Sequence, residues 1–181
     1  MADLSRMINP TASIQTQGDA LAAGRGGALG AFLMAAASVV GSLEIFLTAD
    51  AYLAKMRAAT IAQYGEGTEV ARAALSMMTP TMIYMTVTMT LLFALLYAVL
   101  GAVQWRKPNV IIPLLLGLLS AYGLATMLLA QLNGSAVAAQ MHVPIWRQAL
   151  SALVAIAAVV LFYNGFRGAN RLSKLRRDGA A

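Results

Sequence analysis

The chain has 181 residues, 60% of them hydrophobic and only 11% charged, less than half the charged share of about 25% usual for a water-exposed domain. With a mean hydropathy of +0.71, it is built for lipid rather than water. The net charge of +6 is concentrated at the ends of apolar runs, where it reads as membrane orientation rather than a nucleic-acid surface. The absence of cysteine and the presence of a single histidine, His142, exclude disulfides, thiolate metal sites, iron–sulfur clusters, cysteine nucleophiles and a haem held by two histidines of this chain.

Four charge-free runs follow in order: residues 26–43, 73–105, 108–146 (with His142 taken as neutral) and 148–166. At a rise of about 1.5 Å per residue, about 20 residues cross a hydrocarbon core of about 30 Å. The first and last runs hold one span each. The middle two are too long for one span and must include residues outside the membrane. The runs lack the two-residue alternation of a membrane barrel, and backbone groups in lipid must be satisfied within the segment, so the spans are helices. The expected fold is an all-α integral membrane protein with four transmembrane helices, at about 27–49, 81–103, 110–131 and 147–166, plus a short amphipathic helix in the first loop. A cytoplasmic segment, 1–25, precedes this membrane domain of 26–166, and a basic tail, 167–181, follows it.

The first run carries small residues four apart at Gly26/Gly30, Ala31/Ala35, Ala37/Gly41 and Ser38/Ser42. Such pairs let helix backbones approach closely in lipid, so the first helix is expected to be the most tightly packed. Gly117/Ala121 in the third helix and Ser151/Ala155 in the fourth share the spacing. Ala49-Asp50-Ala51 has the form of a signal-peptide cleavage site, but the apolar segment before it exceeds the usual 7–15 residues, so it reads as a retained span. Glu44 interrupts the first span about 26 Å along its axis, near the outer edge of the hydrocarbon. An acid so placed marks the exit side, or else is a protonatable group facing a cavity or partner. With no basic partner expected on the later helices, it is too little for a proton relay.

Beyond the first span, Tyr52, Leu53, Met56 and Ala59 share a stripe and no breaker appears until Gly65, so the helix is expected to run about two to four turns past the membrane or to bend onto its surface. Gly65-Glu66-Gly67-Thr68 ends it. Residues 69–78 then place Val70, Ala73, Ala74, Met77 and Met78 on one face and Glu69, Arg72 and Ser76 on the other, the spacing of an amphipathic helix that lies on its own bundle or receives another subunit.

Thr79-Pro80 starts the second span. Its outer half carries Thr81, Thr86, Thr88 and Thr90. Threonines in a helix bond back to their own carbonyls, or they line a polar path. Trp105, Arg106 and Lys107 close the span as interfacial anchors, as Trp146 does at the start of the fourth. Pro113 falls in the first turn or so of the third helix, where proline costs little. Asn133-Gly134-Ser135 ends that helix, and His142 lies in the loop beyond, as a solvated residue or a partner contact. The tail holds Arg167, Arg171, Lys174, Arg176 and Arg177 against Asp178. It continues the fourth helix and orients the chain, and it can hold anionic headgroups.

The side of the termini carries nine of the thirteen cations: Arg6, Arg25, Arg106, Lys107 and the five of the tail. That bias puts both termini in the cytoplasm; the arginine- and alanine-rich composition suits a GC-rich bacterial genome, and the expected location is a bacterial inner membrane. No catalytic constellation, phosphate-binding glycine loop or metal-ligand spacing is present in the sequence. The expected function is therefore a non-catalytic accessory or scaffold subunit of a larger energy-transducing or secretion complex. It is not an enzyme, needs no cofactor of its own, binds lipids and other membrane subunits, and does not bind nucleic acid. The alternative is a small oligomeric transporter or channel using the threonine-rich second helix and Glu44.

Overall fold

The structure, a computed structural model, describes residues 4–132 and 145–178. They form α1 (Leu4–Ile8), α2 (Gln17–Leu47), α3 (Ala49–Tyr64), α4 (Glu69–Met77), α5 (Pro80–Arg106), α6 (Ile111–Leu132) and α7 (Ile145–Asp178). Four of these, α2, α5, α6 and α7, are long and apolar enough to cross a membrane. The chain is an all-α integral membrane protein.

Local chemistry sets the helix ends. Thr16 caps α2 by accepting from the amide of Asp19 at 3.2 Å, and the Asp19 carboxylate accepts from the Thr16 amide at 3.0 Å. This reciprocal box satisfies two free donors and starts the helix at Gln17 rather than near residue 26. Thr79 caps α5 ahead of Pro80. Asn109 caps α6 by accepting from the Ile112 amide at 2.9 Å. Gly65, at φ +84°, ends α3 in a backbone region that suits glycine.

The four long helices form a row in the order α5, α2, α7, α6, with each neighbour antiparallel to the next. α2 packs on both α5 and α7, and α6 packs on α7 and, through Pro113 and Leu116, also touches α2, whereas α5 and α6 share no comparable interface among the described residues despite being consecutive. The α2–α7 contact is backbone on backbone. A Cβ on Gly165 would stand 2.5 Å from the Cα of Gly27, and one on Gly168 would stand 2.1 Å from the nitrogen of Gly24. Small residues permit this approach, and dispersion between closely packed backbones is what lipid leaves available to hold helices together. Next to this crossing, Phe162 is fully buried among Ala31, Leu116 and Ala158. On α5, Gly101 leaves room for the ring of Phe32.

At the other end, α3 continues α2 through Thr48, whose amide and hydroxyl both donate to the Glu44 carbonyl. Leu53 of α3 packs on Ile83 and Val87 of α5, with Met56, Met78 and Met82 around them. Arg57 donates to the Met78 carbonyl at 2.7 Å and so ties α3 to the chain entering α5.

The face of α4 differs from the one expected. Ala71 is buried, with Ala74, Leu75 and Met78 half-buried, while Val70, Ala73 and Met77 are exposed. The apolar arc is wider than the simple pattern implied: one edge meets the protein, the other is open, and Glu69, Arg72 and Ser76 remain on the third side.

Candidate functional site

Three groups of polar residues occupy the two ends of the row. At the end carrying both termini, Gln104 is fully buried. Its amide donates to the Gly24 carbonyl at 3.0 Å, and its oxygen accepts from the Asn109 amide at 3.2 Å. One side chain thus joins α2 to the turn between α5 and α6. Beside it, Arg25 donates to the Trp105 carbonyl at 3.2 Å, with its guanidinium 5.3 Å from the centre of the Trp105 ring. A cation on an indole face is a stabilising contact in its own right.

The second group holds the N-terminal segment. Asn164 of α7 is buried and donates to the carbonyls of Arg6 and Met7 at 2.9 and 2.7 Å, satisfying the end of α1. Gly26 leaves room for the Met7 carbonyl, which would stand 2.4 Å from a Cβ there. Arg6 forms an ion pair with Asp19 at the start of α2. Arg167 donates to the Ala12 carbonyl at 3.4 Å and lies over the Tyr163 ring. The segment from Arg6 to Ala12 is therefore docked across α2 and α7.

The third group is at the far end. Arg147, in the first turn of α7, forms an ion pair with Glu44 of α2. This corrects the expectation that Glu44 lacks a basic partner on the later helices. By sequence, Arg147 is one of the four cations on the side away from the termini. From Arg25 to Glu44 along α2, and from Arg147 to Arg167 along α7, the rise is about 28 to 30 Å. The two polar ends are thus one hydrocarbon thickness apart, and the ion pair sits at an edge of the apolar band.

The other expected site residues are distributed as follows. Gly26, Gly30 and Gly117 face packed neighbours, with Gly30 and Gly117 both against Phe162. Among the described residues nothing lies within 4 Å of a Cβ on Gly41, and Ala37 and Ala121 are exposed, so the expected close packing is not seen at these three. Thr86 and Thr90 donate to the carbonyls of Met82 and Thr86, each at 2.9 Å. Trp146, Arg106, Lys107, Arg171, Lys174, Arg176 and Arg177 are exposed. His142 and the 133–135 turn lie outside the described residues.

Sequence reasoning missed Gln104, Asn164 and the Gly24/Gly27–Gly165/Gly168 crossing. The first two are uncharged amides, so they leave the charge-free runs that mark the spans unbroken. The glycines lie three apart, a spacing that also keeps residues on one helix face, whereas only fourfold spacing had been weighed. Comparison with known families, curated proteins and solved structures found no match.

Proposed function

We propose that the chain is a non-catalytic accessory subunit of a larger membrane assembly, of the energy-transducing or secretion kind. We place it in a bacterial inner membrane with both termini in the cytoplasm. The observation that carries this reading is the open row. α5 and α6 do not close against each other, and only 17–22% of the apolar 18-residue window of each span is buried within the chain. Broad apolar faces such as Met85, Met89 and Leu92 on α5 and Leu115, Leu119 and Tyr122 on α6 stay exposed. Small residues on this open surface, Ala37, Gly41 and Ala121, suit close approach by a further helix.

The polar side chains support the same reading. Gln104, Asn164, Arg25 and the Glu44–Arg147 pair are engaged in holding helices and the N-terminal segment in place. A transport path draws less support, since the Thr86 and Thr90 hydroxyls are turned onto their own helix and Glu44 is paired.

Deleting the gene in the source cell and resolving its membrane complexes on native gels tests the proposal. A specific assembly should lose mass or stability. Unchanged complexes, together with flux through the purified protein in liposomes, would favour the transport reading instead.

A further inference from the structure

The α6–α7 seam carries two hollows, one edged by polar and basic groups and one almost wholly apolar. At the basic end, a cleft of about 460 Å³ lies between the turn before α6 and the last turns of α7. Pro108 and Leu172 form apolar walls, and Ser173, Arg176 and Arg177 supply polar groups. Neither guanidinium has an ion-pair or hydrogen-bond partner among the described residues. The cleft also reaches Val110, at the N-terminus of α6, where the helix dipole adds positive potential. Further along the same seam, toward the middle of the apolar band, a groove of about 240 Å³ runs between α6 and α7, lined by Leu118, Val159 and Phe166 among others.

We propose that this seam is a binding site for one anionic phospholipid, with its phosphate in the basic cleft and an acyl chain in the groove. The order of the hollows matches the ligand. The cleft begins at Pro108, directly after Arg106 and Lys107, where headgroups lie. Arg176 and Arg177 stand about 13 to 15 Å beyond Arg167 along α7, and both line the same cleft as Pro108. Basic pockets between membrane helices are suited to phosphate headgroups. A soluble anion would use the cleft alone and leave the groove without a role. The site does not depend on the chain being a subunit of anything.

The test is titration of the full-length protein in neutral detergent with dioctanoyl phosphatidylglycerol, counting bound lipids by native mass spectrometry. One saturable site is expected, with dioctanoyl phosphatidylcholine about tenfold weaker. The double variant Arg176→Gln/Arg177→Gln should weaken phosphatidylglycerol by about tenfold or more. Arg171→Gln/Lys174→Gln removes the same charge from exposed positions of the same helix outside the cleft, and should change binding less than about twofold. Val159→Trp, which fills the groove, should weaken the lipid and leave inorganic phosphate binding unaltered. Equal losses in the two charge variants would mean diffuse attraction and overturn the site. So would inorganic phosphate displacing the lipid at equal concentration, which would make the ligand a free anion. All four residues of the charge variants are exposed, and elution and melting profiles matching the wild type are the check that each variant is folded.

Discussion

Gly168 of α7 faces the backbone nitrogen of Gly24 on α2, and a Cβ at Gly168 would stand 2.1 Å from it. Two helices that approach this closely leave no space for even a methyl group. Gly168→Ala must therefore push α2 and α7 apart, at a cost of about 1–3 kcal/mol for overpacking. Thermal unfolding in detergent should show a clear drop in midpoint. Gly41→Ala is the control: its Cβ meets nothing within 4 Å among the described residues and should leave the melting unchanged. If Gly41 instead receives a partner helix, Gly41→Leu should reduce co-purification of that partner without destabilising the isolated chain.

Gln104 joins α2 to the α5–α6 turn through one buried and one partly buried hydrogen bond. Gln104→Leu keeps the volume but strips the Gly24 carbonyl and the Asn109 amide of this partner. Leaving buried polar groups unmet costs about 1–3 kcal/mol. The same unfolding assay checks it, and a melting profile equal to wild type would show that water replaces the side chain.

Much of this was legible in the sequence and some was not, for separable physical reasons. The four spans were readable because a charge-free run of sufficient length has few alternatives in lipid. The Thr79-Pro80 start of α5 and the Gly65 stop of α3 were readable because each rests on local chemistry. The start of α2 at Gln17 was also local, in the Thr16–Asp19 box, but it lies before the apolar run and went unread. Helix order was not local at all. The pairing of α2 with α7 depends on Gly24 and Gly27 meeting Gly165 and Gly168, residues about 140 positions apart, and an alanine-rich chain offers many competing small-residue pairs. Likewise, a charge count could not show that Arg147 meets Glu44. The open side of α4 went unseen because helical spacing fixes a face but not the direction it points.

The Glu44–Arg147 pair is well over a third exposed at its acid, with side-chain exposures of 43% for Glu44 and 36% for Arg147. Solvent weakens such a pair, so its coupling in a double-mutant cycle of Glu44→Gln and Arg147→Gln should be below about 1 kcal/mol. A coupling of several kcal/mol would place the pair inside the hydrocarbon rather than at its edge.

The proposed orientation can be read directly, because the chain has no native cysteine. Lys174→Cys should react with a membrane-impermeant thiol reagent only in opened cells. Glu66→Cys, in the turn between α3 and α4, should react in intact ones, once the outer membrane is made permeable. The reverse pattern would invert the topology.

The central claim is that this open row of helices is completed by other chains. The most direct test is the native mass of the protein extracted from its source membrane in mild detergent, with mass spectrometry of what co-purifies. A stoichiometric set of different membrane subunits is the predicted result. A free monomer or a pure homo-oligomer would contradict it.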